Sequence, residues 1–303
     1  MNASIALLEK AARATVSIHA QVPETHPSVA IGLGADRRGT GTLVSSDGLI
    51  VTVNYMIMGA RDDVMVTFAN GDQAAGHIIA RDFTTSLGVV KVDGSGYPYL
   101  EVTSSDTAEL GQEIFIVSSL GAEKRCADTG VITYLGPFDA AWEFVLERCV
   151  CVTASALNIG LSGGPIINTK GQLLAVSYLN FADIVRPILG IPGECFLSGR
   201  DELLRHGHRV STPPRLWLGL YSYTLREHVV ISGVMPGSPG EKAGLRQGDL
   251  VLSADGREIH ERKTLYEVIN SHRPGERVQL RILRNNRVHD VEISAIIVDD
   301  YLG

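Results

Sequence analysis

No apolar run in the sequence approaches the roughly 20 residues that a membrane-spanning helix needs, so we expect no transmembrane segment. Positive charge is also scarce, because 27 Lys and Arg face 34 Asp and Glu and give a formal net charge of -7. That balance disfavours nucleic acid and anionic membranes as partners. The one loose basic cluster, from Arg277 to Arg287, is typical of a solvated strand-and-turn surface.

Cysteine is sparse, with 4 residues in a chain of 303. That number is too small for a disulfide framework in a chain of this length. Cys149 and Cys151 lie two positions apart on a predicted strand, where their Cα atoms would be about 6.6 Å apart, near the upper limit for a disulfide. Buried thiols are therefore favoured. No second Cys/His pair accompanies them, so we expect no bound metal and no cofactor.

The N-terminal residues 1–16 contain no uninterrupted apolar stretch of the kind found in secretory signals, because three charged residues interrupt them. Ile5, Leu8 and Ala12 recur at helical spacing and predict a short amphipathic helix. The sequence as written predicts a cytoplasmic protein. The cell envelope or periplasm is the alternative if a targeting segment has been removed.

Short apolar strands separated by glycine-containing turns dominate residues 14–180, a pattern that predicts an all-β sandwich or barrel. The clearest predicted strands are Thr42–Val44, Leu49–Val53, Val64–Phe68, Val89–Val92, Ile114–Val117, Gly130–Tyr134 and Leu173–Val176. A short helix over Asp201–His206 should end at Gly207.

Residues 208–215 contain Pro213 and Pro214 and are predicted to form a linker. We therefore predict one domain at 1–207 and a second at 208–303. The second has about 90 residues, a usual size for an independent module. Its predicted elements are the strands Val229–Val234, Leu250–Ser253, Arg277–Leu283 and Val288–Ala295 and the helix Thr264–Asn270.

The motif Gly160-Leu161-Ser162-Gly163-Gly164-Pro165 has the clearest chemistry. Its glycines allow a tight turn in which backbone N–H groups can converge, as an oxyanion hole requires. Ser162 then occupies the position of a nucleophile, and the segment from Gly160 to Ser162 occupies the oxyanion-hole position. A plain structural turn is the alternative interpretation.

Three segments resemble motifs of the HtrA (Deg) family of serine proteases, in which a trypsin-like double β-barrel precedes a PDZ domain. They are Gly39–Thr52, Asp82–Val92 and Thr153–Pro165. The resemblance covers nearly the whole chain. It implies an all-β, trypsin-like double barrel over 1–207 and a small α+β PDZ domain over 208–303.

The catalytic positions of this chain depart from the family pattern. Tyr55 stands at the place of the histidine and Ser86 at that of the catalytic aspartate, while Ser162 is retained. A phenol with a pKa near 10 is ionised in only about one molecule per thousand at neutral pH, so it is a poor base. The leading hypothesis is a catalytically inactive pseudoprotease. The alternatives are a serine endopeptidase with a non-standard base and a subunit that regulates an active paralogue.

The segment Trp217-Leu218-Gly219-Leu220 resembles the family's carboxylate-binding loop. The resemblance implies that this loop, together with Leu265 and Val268 on the following helix, binds peptides or protein C-termini by strand addition. A role in the domain core alone is the other possibility for these residues. The family resemblance also implies a homotrimer or another homo-oligomer.

Overall fold

The computed structural model describes residues 3–61, 63–121, 124–140, 144–154, 161–180 and 187–303. The chain divides into two compact units. The first contains Met1–Phe138 and Leu146–Ser211, and the second contains Asp139–Val145 and Thr212–Gly303. The division after Ser211 falls within the predicted linker, whereas the assignment of residues 139–145 to the second unit had no signal in the sequence.

The first unit begins with helix α1 (Ala3–Ala14) and contains two closed β-barrels of six strands each. The strands of the first barrel are β1 (Thr15–Gln21), β2 (Asp36–Leu43), β3 (Leu49–Val53), β4 (Asp63–Thr67), β5 (Gln73–Asp82) and β6 (Leu87–Val92). They are joined in the order β1-β2-β3-β6-β5-β4. An irregular helical turn, Val29–Leu33, precedes β2, and the single-turn helix α2 (Asn54–Ile57) follows β3.

The second barrel has the order β10-β11-β12-β9-β8-β7. Its strands are β7 (Glu113–Leu120), β8 (Lys124–Ala140), β9 (Phe144–Ala154), β10 (Pro165–Asn168), β11 (Leu173–Asn180) and β12 (Pro187–Pro192). Alternation along β9 places Val150 and Val152 in a buried cluster that also contains Leu161. Helix α3 (Gly193–His206) closes the unit. The double barrel predicted from the family resemblance is confirmed.

Two helix predictions for the first unit need correction. Helix α3 begins at Gly193 rather than Asp201, although it ends as predicted at Gly207, whose φ of 77° suits a glycine C-cap. In α1 the predicted apolar face is wrong, because Ile5 is 50% exposed while Ala11 and Ala14 are buried. The helix buries small residues, so the spacing of its long apolar side chains did not identify the buried face.

The second unit contains a six-stranded sheet of the order β14-β15-β16-β18-β19, in which β17 pairs with β16, and a separate two-stranded sheet of β13 and β20. Its strands are β13 (Leu216–Trp217), β14 (Leu220–Leu225), β15 (His228–Val234), β16 (Leu250–Ala254), β17 (Arg257–Glu258), β18 (Arg277–Arg284), β19 (Arg287–Ser294) and β20 (Ile296–Ile297). Its helices are α4 (Pro239–Lys242), α5 (Arg262–Asn270) and α6 (Asp299–Leu302). The predicted α+β PDZ architecture is confirmed, and α5 begins two residues earlier than predicted.

None of the helices in the described part of the chain is both long and apolar enough to cross a bilayer.

Candidate functional site

Tyr55 is held in place by the main chain of its own helical turn. Arg37, whose side chain is buried, donates from Nη1 to the carbonyl oxygens of Tyr55 at 2.7 Å and Met58 at 2.9 Å. Arg81 donates to the carbonyl oxygens of Ile57 and Ala60. Since α2 has a single turn, these two guanidinium groups satisfy carbonyls that a longer helix would satisfy internally. The side chain of Tyr55 therefore projects from a fixed backbone.

The phenol oxygen of Tyr55 lies 2.5 Å from Ser162 Oγ and 2.5 Å from the carbonyl oxygen of Tyr178. A phenol has one proton, and a carbonyl oxygen can only accept. The proton of Tyr55 therefore goes to Tyr178, and the hydroxyl of Ser162 donates to the phenol oxygen. The rings of Tyr55 and Tyr178 pack edge to face with their centroids 5.3 Å apart. Ser162 is thus hydrogen-bonded to a neutral oxygen.

Burial of the phenol is the main cause that raises the pKa of Tyr55, and Tyr178 adds to it against the opposing effect of the Ser162 hydrogen bond. A raised pKa reduces the ionised fraction at neutral pH below that of free tyrosine. Because only the phenolate could accept the serine proton, the fold makes Tyr55 available as a base in an even smaller fraction of molecules than free tyrosine would be.

Ser162 lies on a tight turn in which the next position, residue 163, requires glycine. Gly163 has a φ of 86°, and a Cβ there would lie 2.0 Å from the carbonyl oxygen of Thr40. The turn is fixed by Thr40 N, which donates to the Ser162 carbonyl oxygen at 2.9 Å, and by Gly163 N, which donates to Ser177 O at 2.7 Å. The first barrel therefore holds the serine turn of the second barrel by a hydrogen bond from Thr40.

Two N–H groups of the glycine motif donate hydrogen bonds within the fold and are not available to an oxyanion. Gly163 N donates to Ser177 O, and Gly164 N donates to Leu161 O at 2.8 Å. The N–H of Ser162 has no acceptor among the described residues and is the remaining candidate for an oxyanion donor. Leu161, at 4% exposure, is part of the second barrel's core. Gly160 lies outside the described residues, so its assigned role stays a prediction.

The main chain of Ser86 contacts the single-turn helix α2, which carries Tyr55. Its carbonyl oxygen accepts a 2.7 Å hydrogen bond from Asn54 N, and its φ of 61° lies in the left-handed region. The retained Asp82 has a different task. It accepts bonds from the backbone N–H groups of Thr84 and Thr85 and forms a 2.7 Å ion pair with Arg209 Nε. A buried carboxylate with these partners stabilises a turn and ties down the segment predicted as a linker.

All nine histidines lie in the described ranges, and none of them forms a hydrogen bond with Ser162 Oγ. His26 bonds to Ser28 Oγ at 2.5 Å, and burial together with Arg37 lowers its pKa. His19 pairs with Asp36, and His77 with Asp93. Within the described ranges, no group of three or more His, Cys, Asp or Glu side chains could hold a metal ion.

In the second unit, the loop before β14 has the features of an anion-binding turn. Gly219 has a φ of 79°, and a Cβ there would lie 2.2 Å from Ser238 Cβ. The carbonyl oxygens of Leu218 and Gly219 accept from Gly240 N and Met235 N, both at 2.8 Å. The N–H groups of Leu218 and Gly219 have no acceptor among the described residues. Such N–H groups can bind a carboxylate.

Strand β14 is at the edge of its sheet, and α5 lies beside it. The predicted pocket side chains are nevertheless buried in the domain core: Trp217 at 3%, Leu218 at 0%, Leu220 at 2%, Leu265 at 0% and Val268 at 8% exposure. Trp217 packs on Tyr301, with ring centroids 4.7 Å apart. Both interpretations of the loop residues, as core and as groove, are therefore compatible with their positions, and the assignment stays a prediction.

The sequence analysis missed Arg262, the first residue of α5. Its side chain is 4% exposed, donates to Ser222 Oγ at 3.1 Å and to Tyr266 Oη at 2.9 Å, and pairs with Asp139 at 2.5 Å. These contacts join α5 to β14. Burial raises the pKa of Asp139 in spite of the opposing charge of Arg262. Helical spacing was the available signal, because Arg262 shares a face with the buried Leu265 and Ile269.

Two family models match the chain. A model described as the trypsin-like peptidase domain matches residues 39–176, and one described as the PDZ domain matches residues 216–295. The first contains Tyr55, Ser86 and Ser162, and the second contains the loop at 217–220 and helix α5. The first match lies within the first unit apart from residues 139–145, which belong to the second unit, and the second match lies within the second unit.

Curated relatives and solved structures resemble the chain over most of its length. A probable periplasmic serine endoprotease, DegP-like, from Halomonas elongata is 26% identical over 288 residues, which are 88% of this chain and 58% of that relative. The relative of the same description from Chlamydia trachomatis is 28% identical over 85% of this chain and 53% of its own length. The solved serine endoprotease from Yersinia pestis has a TM-score of 0.58 at 22% identity and covers 96% of this chain and 97% of its own. The chain spans a little over half the length of the curated relatives it matches.

Proposed function

The chain belongs to the HtrA family of trypsin-like, PDZ-containing serine proteases, and from that premise we propose that it is a pseudoprotease that binds peptides or protein ends without cleaving them. The observation that carries the proposal is the contact between Tyr55 and Ser162. A serine hydroxyl becomes an effective nucleophile when an adjacent base removes its proton. Here the hydroxyl instead meets a neutral phenol at 2.5 Å.

The phenol cannot assume the two roles of a triad histidine. A histidine accepts the serine proton and later delivers it to the leaving amine, while an aspartate stabilises the imidazolium. Tyr55 has its own proton directed at the Tyr178 carbonyl, and burial raises its pKa further. Ser86, in place of the aspartate, has no charge to stabilise a cation. Without these partners, catalysis falls to the roughly 10³–10⁴-fold over water that binding and an oxyanion hole alone provide.

Peptide binding is the activity that we assign to the second unit. Strand β14 is the first strand in the order of its sheet, and the N–H groups of Leu218 and Gly219 beside it can hold the terminal carboxylate of an extended peptide. Because Leu220 and Leu265 are buried in the domain core, an apolar terminal side chain has to enter by displacing part of this packing. A homotrimer or other homo-oligomer is part of the proposal on the strength of the family resemblance.

A serine endopeptidase with a non-standard base is the second candidate. The matched relatives are described as serine endoproteases, the nucleophile position is retained as Ser162, and its N–H has no acceptor among the described residues. The same relatives are described as periplasmic, so we favour the cell envelope over the cytoplasm as the place of action.

Hydrolysis of an unfolded protein substrate separates the two candidates. We expect casein degradation by the full chain at neutral pH to equal that of the Ser162→Ala variant. Loss of a measurable activity on this substitution would overturn the pseudoprotease proposal and establish the endopeptidase. Circular dichroism of both proteins serves as the control for correct folding.

A further inference from the structure

Two thiols lie in contact on β9, on the strand face opposite to that of Val150 and Val152. Cys149 Sγ and Cys151 Sγ are 3.6 Å apart, Cys149 is fully buried, and Cys151 is partly exposed. The remaining cysteines, Cys126 on β8 and Cys195 on α3, lie on other elements. We propose that Cys149 and Cys151 form a site of reversible oxidation by peroxides, in which Cys151 reacts first and Cys149 resolves it into a disulfide.

The two thiols have unequal roles because their surroundings differ. The hydrogen bond from the Cys149 thiol lowers the pKa of Cys151, since it stabilises the Cys151 thiolate. The same hydrogen bond and burial raise the pKa of Cys149, which therefore keeps its proton. Cys151 thus combines access to solvent with thiolate character, the two properties that make a cysteine react with a peroxide.

The reaction balances with hydrogen peroxide as the oxidant. The Cys151 thiolate attacks one peroxide oxygen, the O–O bond breaks, and after protonation the products are Cys151 sulfenic acid and water. Cys149 Sγ then attacks the sulfur of the sulfenic acid, and the S–O bond breaks. The thiol proton of Cys149 leaves with the hydroxide as a second water. Each sulfur loses one electron, and each peroxide oxygen gains one.

Closing the bond requires β9 to deform. Residues i and i+2 of an extended strand have Cα atoms about 6.6 Å apart, whereas a relaxed disulfide has about 5.5–6 Å. The intervening Val150 is fully buried, is paired with Gly190 of β12, and packs in the cluster that contains Leu161, the neighbour of Ser162. A disulfide that shortens this strand is strained and therefore easily reduced, which suits a reversible modification.

The test uses a Cys126→Ser/Cys195→Ser variant of the full chain, so that only the pair can react. The protein is treated with hydrogen peroxide while folded, then unfolded and alkylated, and its intact mass is measured. We expect complete loss of alkylation at both cysteines. The mass should be lower by two hydrogen atoms than that of the reduced protein before alkylation. Dithiothreitol should restore alkylation at both.

A matched variant separates the roles of the two thiols. Adding Cys149→Ala removes the resolving partner and also the hydrogen bond that lowers the pKa of Cys151, so oxidation should be slower and dimedone should trap the Cys151 sulfenic acid that forms. Full alkylation of both thiols after peroxide treatment would overturn the proposal. So would direct conversion of Cys151 to sulfinic acid in the protein that retains Cys149, or a disulfide between two chains on a non-reducing gel. The first measurement does not depend on the folding of the Cys149→Ala protein.

Discussion

Tyr55 Oη lies 2.5 Å from Ser162 Oγ, so the residue at the position of the family's base contacts the hydroxyl that a base would deprotonate. The same oxygen lies 2.5 Å from the carbonyl oxygen of Tyr178. The phenol thus joins Ser162 and the Tyr178 carbonyl of β11 into one hydrogen-bonded group. Its effect is structural, because it satisfies a hydroxyl and a carbonyl that would otherwise need other partners.

Removing the hydroxyl of Tyr55 should destabilise the protein. In Tyr55→Phe, Ser162 Oγ and Tyr178 O each lose a partner in a half-buried site, and we expect the free energy of unfolding to fall by about 1–3 kcal/mol. Denaturation by urea measures the difference. Tyr134→Phe is the matched control, because the exposed Tyr134 donates to Pro137 O at 2.9 Å. Its effect should stay within about 0.5 kcal/mol. Equal effects of the two substitutions would contradict a specific role for the Tyr55 contact.

Restoring the family's residues at two positions should not restore a full protease. Tyr55→His with Ser86→Asp supplies the missing groups, and an aspartate tolerates the left-handed φ of 61° at position 86. However, an imidazole is shorter than a phenol, so it cannot reach Ser162 Oγ from the fixed Tyr55 backbone without a shift. A misplacement of about 1 Å can cost roughly 10²-fold in rate.

We therefore expect weak or absent casein degradation by this double variant. The triple variant with Ser162→Ala provides the background rate. Protease-like turnover that the third substitution abolishes would show that the serine turn is already organised for catalysis.

Binding of C-terminal peptides should depend on the terminal charge. A carboxylate held by the N–H groups of Leu218 and Gly219 forms charge-assisted hydrogen bonds, and amidation of the peptide should cost about 1.5–3 kcal/mol. That corresponds to a loss of affinity of roughly tenfold to a hundredfold. Calorimetric titration of the full chain with free-acid and amide forms of a peptide ending in an apolar residue measures the difference. Equal affinities would remove the main support for terminal recognition.

A glycine pair provides a matched control for the same loop. In Gly219→Ala the new Cβ would lie 2.2 Å from Ser238 Cβ, so we expect the loop to distort and peptide binding to be lost. Gly256→Ala introduces a methyl group at a similar φ of 80°, with nothing within 4 Å. It imposes backbone strain without touching the loop and should leave peptide affinity unchanged.

The attachment of residues 208–211 to α3 should depend on pH. Glu202 accepts hydrogen bonds from Val210 N at 2.6 Å and Ser211 N at 2.9 Å, and these bonds, that of Ser211 first, lower the pKa of Glu202 to about 2. The unfolded chain has a glutamate pKa of about 4.3. The stabilisation is therefore present above pH 4.3 or so and is lost as the pH falls towards about 2.

Thermal unfolding of Glu202→Gln and the unmodified protein measures this effect. We expect the unmodified protein to have the higher Tm at neutral pH, and the difference to shrink between about pH 4.3 and pH 2. Glu24→Gln, at an exposed position, is the control variant for the loss of one surface carboxylate. A Tm difference for Glu202→Gln that stays constant down to pH 2 would contradict the role of the carboxylate charge.

The double barrel and the PDZ unit could be predicted because their signals are local: short strands, turn glycines and motif spacing. Tyr55 and Ser162 could be placed near each other through the same motifs. The partner of Tyr55 at Tyr178 could not, because a carbonyl oxygen is present in every residue and leaves no trace in the sequence. The role of Arg209 was missed for a related reason. A linker rich in proline and polar residues looks solvated, and only the fold shows that Arg209 reaches Asp82.

The assignment of residues 139–145 to the second unit has a consequence for the order in which parts of the protein fold during synthesis. Asp139 and Arg262 are separated by 123 positions, and the ribosome synthesises Asp139 first. Folding during synthesis starts from the N-terminal part of the chain. Asp139 therefore cannot pair with Arg262 until α5 has emerged, and the second unit is the last part of the chain that can complete its contacts. A chain that ends before Arg262 leaves the Asp139 carboxylate in water. A fragment that starts at Thr212 leaves the Arg262 side chain, which is 4% exposed, without its carboxylate. The second defect is the more costly one, because it leaves a buried charge unpaired.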